Sequence, residues 1–200
     1  MNKQAGFTLV EIAIVMVIIG LLLGGVLKGQ EIITNAKVKR LETDITGITA
    51  AIYSYEDRYR ALPGDDKKAK TKWSLVANGD GNRKIAKGAT AHAFDSSTTD
   101  DESRLFWLHL RNAGLVAGTT GDQEQPSNAF NGLTGVSTTI GTIPRHFIGF
   151  TDIPQSVAII IESRGDDGKP KLGSVQGADN SGGAVTDYAT DQLYQLYISL

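Results

Sequence analysis

Gly6-Phe7-Thr8-Leu9-Val10-Glu11 leads straight into Ile12-Ala13-Ile14-Val15-Met16-Val17-Ile18-Ile19-Gly20-Leu21-Leu22-Leu23, and this stretch decides the fold. From Phe7 to Leu27 the chain is almost wholly apolar. As a helix rising 1.5 Å per residue, such a run covers roughly 30 Å, the thickness of a bilayer's hydrocarbon core. One charge, Glu11, lies well inside it. An acidic side chain at mid-membrane costs about 2.5–3.5 kcal/mol, so it calls for a partner and a purpose. Ahead of the run, Met1-Asn2-Lys3-Gln4-Ala5-Gly6 is short and polar, with Lys3 and the amino terminus positive and no acid. Positive charge beside an anchor stays on the cytoplasmic side, which sends everything after Lys28 outward. A secretory signal would end in an A-x-A-like cleavage site, whereas Gly24-Gly25-Val26-Leu27-Lys28-Gly29-Gln30 follows here. A plain single-pass anchor accounts for the run and its orientation but leaves Glu11 unexplained.

With its Gly-Phe-Thr-Leu-Val-Glu sequence, the segment Gly6–Glu11 resembles the prepilin signature of type IV pilins and type II secretion pseudopilins. The resemblance implies cleavage between Gly6 and Phe7 by a prepilin peptidase/methyltransferase on the cytoplasmic face, and N-methylation of the new amino terminus at Phe7. It also implies that the apolar helix is kept, lodged in membrane lipid before assembly. An inner-membrane assembly platform with a cytoplasmic ATPase would then stack the chain into a homopolymer whose core is these helices. In that core the Glu11 carboxylate needs a cation, and the Phe7 ammonium lies four residues upstream. Opposite charges attract far more strongly in a low dielectric than in water. Pairing of Glu11 with the Phe7 amine, a neighbour's or its own, favours docking and fixes register. Gly20/Gly24 and Gly25/Gly29 fit small-xxx-small helix contacts, and also the local unwinding that helices of this family undergo in filaments. Many pilins carry a kinking proline near this point; Lys28 stands here instead.

Past Lys28 the pattern turns amphipathic. Leu41, Ile45, Ile48, Ile52, Tyr55, Tyr59 and Leu62 recur at spacings of four and three, a stripe on one helical face. Leu62-Pro63-Gly64-Asp65 stops the helix, because proline disfavours helix at the residue before it. The expected helix runs from about Thr8 to about Ala61. The expected organisation is a leader at 1–6, a transmembrane or filament-core helix at 7–27, its amphipathic continuation at 28–62 and an outward-facing globular domain at 63–200.

The globular remainder has no cysteine, although the expected compartment permits disulfides. The formal net charge of −2 argues neither for nor against a nucleic-acid partner at whole-chain level. Lys67, Lys68, Lys70 and Lys72, with Trp73 as a stacking neighbour, form one short basic patch that reads as a solvated face or as a DNA contact. A nucleic-acid partner is the weaker of these readings. Asn78-Gly79-Asp80-Gly81-Asn82 alternates oxygen-bearing side chains with glycine, as in the first half of an EF-hand-type calcium loop. Arg83 and Ala89 occupy the places where that loop keeps its glycine and its bidentate glutamate, so closure would come from Glu102, or from Asp100 and Asp101. The same residues also make a plain Asn-Gly turn. Calcium at Asn78, Asp80, Asn82 and Glu102 is therefore the one cofactor expectation. Major pseudopilins, in the resemblance, bind calcium instead of having a disulfide, but at a C-terminal loop.

Asp100-Asp101-Glu102 before Leu105-Phe106-Trp107-Leu108, closed by Gly114, describes a short helix. Residues 116–142 read as a long Gly/Thr/Ser/Asn loop. Ser156–Ser163 reads as a β-branched strand turning at Gly165–Pro170 into a return strand at Lys171–Val175, and Gln192–Leu200 as a last strand. A long helix followed by an antiparallel sheet is an α+β, pilin-like arrangement. No thiol nucleophile, serine elbow or metal-spaced histidine set is present, so a non-enzymatic role is expected. The reading is a structural subunit of a type IV pilus-like filament. The alternatives are a type II secretion pseudopilin and a minor pilin that binds a ligand such as DNA.

Overall fold

Helix α1 spans Leu9–Tyr59, within two residues of the sequence expectation at each end. The computed structural model describes residues 7–74, 77–85, 93–99 and 101–200. No proline precedes Pro63, and threonine and serine side chains along α1 return their hydroxyls to the carbonyl one turn back, as Thr49 does to Ile45 at 2.7 Å. The chain divides into two units, one ending at Lys39 and one covering Arg40–Leu200. In the first, every residue from Phe7 to Lys28 is exposed, and α1 is the one helix among the described residues long and apolar enough to cross a membrane.

In the second unit the amphipathic stripe behaves as its spacing demands. Leu41, Ile48, Ile52, Tyr55 and Leu62 are buried, and Ile45 and Tyr59 half-buried. After Tyr59 the backbone turns left-handed at Arg60 (φ 54°) and runs into the Leu62–Asp66 turn. A one-turn helix, α2 (Ala69–Lys72), and α3 (Glu102–Asn112) follow. Helix α3 ends as expected at Gly114 (φ 69°), where the Leu115 N–H reaches the Leu110 carbonyl at 2.9 Å, the longer bond of a Schellman closure.

Four strands form one antiparallel sheet in the order β1-β2-β4-β3, with β1 at Thr134–Ile140, β2 at Ile143–Pro154, β3 at Val175–Asp179 and β4 at Leu193–Ser199. Strand β4 is the expected last strand. The others correct the sequence reading: β1 occupies the end of the stretch read as loop, β2 follows it, and β3 begins where the return strand was expected to end. Gly135 of β1 faces Gly149 of β2, and a Cβ on either would run into Phe94. This glycine slot seats the buried Phe94 ring edge-on to Phe147 and Tyr197.

The stretch expected as strand 156–163 is instead α4 (Gln155–Gly165). Val157, Ala158, Ile161 and Glu162 are buried, pairs spaced by four, so the apolar residues satisfy a helical face although their β-branching favours a strand. Glu162 is fully buried; one carboxyl oxygen accepts the Tyr188 hydroxyl at 3.2 Å and the other has no hydrogen-bond partner. Burial pushes this carboxyl up to about 7, helped by Asp166 and Asp167 and opposed by the Tyr188 hydroxyl. The folded state therefore holds a proton that the unfolded chain releases near the ordinary glutamate value. Its stabilising contribution is complete below that value and is lost as pH rises through 7. Glu162→Gln is expected to raise stability at pH 8 by at most about 3 kcal/mol and to change little at pH 4.5. Urea melts at both pH values check this, and an unchanged difference between them would refute it.

Candidate functional site

At the start of α1, Thr8 and Glu11 hold each other. The Glu11 Oε2 accepts the Thr8 N–H at 2.8 Å and the Thr8 hydroxyl at 2.7 Å, and the Glu11 N–H points back to the Thr8 Oγ1 at 3.3 Å. This is a reciprocal capping box, which satisfies donors that a helix start leaves unpaired. The sequence reading found Glu11 but not its partner; the Thr-x-x-Glu spacing was the signal. Phe7 is 84% exposed beside it. Gly6 lies outside the described residues.

A second constellation is built on the Leu62–Asp66 turn. Asp66 accepts the Tyr55 hydroxyl at 2.8 Å and the Lys68 N–H at 2.8 Å, and pairs with the Lys72 ammonium. Burial alone would raise the Asp66 carboxyl, but Lys72, the Lys68 N–H and the Tyr55 hydroxyl outweigh it and hold it below the usual range. The Lys72 ammonium also sits 4.6 Å from the Tyr59 ring centre, a cation–π contact. His109 of α3 braces the turn. Its Nδ1 accepts the Gly64 N–H at 2.9 Å, which assigns the ring hydrogen to Nε2, 3.1 Å from the Ala77 carbonyl. Burial lowers the pKa of this histidine.

The loop Gly79–Arg83 lies directly on this turn: a Cβ on Gly79 would fall 2.3 Å from the Asp65 Cα. The Asp65 carboxylate accepts the Asn82 N–H at 3.0 Å, the Arg83 N–H at 2.6 Å and the Gly81 N–H. Asp65, Asp80 and Glu102 thereby converge, each offering an oxygen within 4.8 Å of the others. Burial, with the Asp80 carboxyl adding to it, pushes the Asp65 carboxyl up against the pull of those backbone N–H groups. Two of the four residues expected to bind calcium, Asp80 and Glu102, are brought together, and the Glu102 Oε1 accepts the Asp80 N–H at 3.0 Å. The other two offer no free oxygen: Asn78 Oδ1 accepts the Lys70 N–H at 2.8 Å, and Asn82 turns its Nδ2 to Asp80 at 2.8 Å while its Oδ1 accepts the Lys84 N–H at 2.7 Å. Asp65 takes their place. In the sequence it reads only as part of a helix stop, because its approach to Asp80 is a tertiary contact with no local signature. An all-oxygen trio of this kind suits a hard cation such as calcium.

Of the basic patch, Lys67, Lys68 and Lys70 are exposed, while Lys72 is committed to Asp66. Trp73 packs on Ala69, Leu105 and Leu108 and meets Tyr59 edge-on at 5.3 Å between ring centres. His92 and Asp100 lie outside the described residues.

Comparison with curated proteins and with solved structures returned no match. Residues 1–27, the span that contains the Thr8–Glu11 cap and the exposed apolar run, match the family described as the prokaryotic N-terminal methylation motif, and the chain thus carries the type IV pilin and pseudopilin signature.

Proposed function

We propose that this chain is a structural, non-enzymatic subunit of a type IV pilus-like filament, cut between Gly6 and Phe7 and methylated at Phe7. The carrying observation is the helix itself. Behind the signature, every residue from Phe7 to Lys28 is exposed, whereas Arg40–Leu200 has its own buried core. An apolar helix uncovered by its own chain needs lipid or other helices around it. Membrane lipid supplies that cover before assembly, and copies of the same helix supply it afterwards. In this reading the amino terminus faces the cytoplasm, residues 63–200 lie outside the inner membrane, and a peptidase, an assembly platform and a cytoplasmic ATPase act on the chain. The test is to shear filaments from cells at native expression and sequence the amino terminus in the filament and membrane fractions. Abundant chain beginning at Phe7 in the sheared fraction is expected. Chain still carrying residues 1–6 in cells with a working peptidase would undo the reading.

The Asp65–Asp80–Glu102 cluster in a cysteine-free domain favours a second reading, a secretion pseudopilin steadied by calcium. Processed protein confined to the membrane fraction would support it. In that case calcium at about a hundred times its dissociation constant adds about 2.7 kcal/mol. The full-length chain in neutral detergent is then expected to melt several degrees lower after chelation, and Asp80→Asn to abolish the difference. An unshifted melting curve retires the cation. The alternative of a DNA-binding minor pilin has Lys67, Lys68 and Lys70 exposed in its favour, and salt-sensitive DNA retention is its test.

A further inference from the structure

A cavity of about 800 Å³ opens between the end of α1, the Leu62–Asp66 turn, the Gly81–Arg83 loop and His146 on β2. Its size falls within the range of small-molecule sites. Arg60, Lys67, Lys68, Lys72 and Arg83 line it, against the acids Glu56, Asp65 and Asp66. Asp66 is paired with Lys72, and the Asp65 carboxylate is hydrogen-bonded by backbone N–H groups from residues 81–83. Asp80 and Glu102 do not line the cavity. Lys67, Lys68 and Arg83 form no ion pair among the described residues, and Arg60 has only Asp57 at 3.8 Å, with both side chains more than four-fifths exposed. Five cations thus line the cavity against three acids, an excess of two positive charges.

Three further features give this wall a built character. Arg60 (φ 54°) and Arg83 (φ 64°) both hold left-handed backbone, which glycine adopts without strain and arginine does not. The Lys67 stem lies across Gly81 so closely that a Cβ there would sit 1.9 Å from its Cε. His146 Nδ1 lies 2.7 Å from Thr138 Oγ1, which also accepts the Ile85 N–H, so this ring is held in place where it lines the cavity. Guanidinium and ammonium cations together are a recognition set for phosphate oxygens.

We propose that this cavity binds a small phosphorylated molecule, with Arg83 and Lys67 as its principal phosphate contacts. The site is independent of the filament reading, since it lies wholly within Arg40–Leu200. Isothermal titration of the full-length chain in neutral-detergent micelles with inorganic pyrophosphate tests it. Saturable binding of one pyrophosphate per chain is expected. Arg83→Gln and Lys67→Gln should each weaken it about tenfold, whereas Lys169→Gln and Lys171→Gln, which remove the same charge from another loop, should leave it unchanged. Near-ultraviolet circular dichroism confirms that the variants remain folded. Absence of saturable binding at millimolar pyrophosphate, or equal weakening by the Lys169 and Lys171 variants, overturns the proposal. So does retention of a single-stranded oligonucleotide that is indifferent to both Arg83→Gln and Lys67→Gln while pyrophosphate does not bind.

Discussion

Glu11→Ala is expected to leave the chain in the membrane but to reduce the sheared filament fraction by at least about 100-fold. Removing one partner of a buried ion pair typically costs about 3–5 kcal/mol, and about 1.4 kcal/mol is a factor of ten in a docking equilibrium. The structure shows one role for this residue, and the proposed filament adds a second. Within its own chain the carboxylate closes the capping box with Thr8. In the proposed filament it also neutralises a Phe7 amine. Glu11→Gln separates them, because glutamine can still cap the helix but carries no charge. Thr8→Ala does the converse, weakening the cap by about 1 kcal/mol while keeping the charge. If charge pairing drives docking, Glu11→Gln assembles as poorly as Glu11→Ala and Thr8→Ala assembles nearly normally. Normal filaments from Glu11→Gln would sink the pairing.

The largest loss of stability is expected at Asp66. Asp66→Ala leaves the Lys72 ammonium among aromatic rings without its counter-ion and strips the Tyr55 hydroxyl and Lys68 N–H of their acceptor. Breaking a buried pair in this way costs about 3–5 kcal/mol, roughly a 10 °C fall in melting temperature for a domain of this size. Asp66→Asn keeps an acceptor oxygen and should lose visibly less. Thermal melts of the full chain in detergent would decide. A Tm for Asp66→Ala within about 2 °C of the parent would mean that the network is peripheral.

The parts of this protein legible in its sequence are those where one local property dictates the outcome. The apolar run, the Glu11 inside it, the stripe from Leu41 to Leu62 and the proline stop needed no partner to be read. Helix α4 was misread because Val157, Ile159, Ile160 and Ile161 are β-branched and crowded, and only burial reveals that pairs four apart share a face. Strands β1 and β2 were hidden by the glycines that make the Phe94 slot: Gly135 and Gly149 look like loop residues until the ring between them is seen. Two of the three members of the acidic cluster were legible for a similar reason. Asp80 and Glu102 announce themselves by spacing and charge, whereas Asp65 joins them only because Gly79 lets one backbone segment lie against another.

The way α1 is fastened within Arg40–Leu200 has a mechanical consequence. Polar fasteners grip the helix at well-separated points: Tyr55 to Asp66 at 2.8 Å is buried, and Glu42 to Arg164 of α4 at 2.8 Å is open to water. Tension applied along the helix axis would load both in shear together with the buried stripe. Water competes for the exposed fastener and not for the dry one, so the grip at Glu42 slips first and the grip at Tyr55 sets the rupture force. Endurance under pull is governed by the rate of unfolding rather than by equilibrium stability, and that rate would be decided within a few residues of the proline that stops the helix.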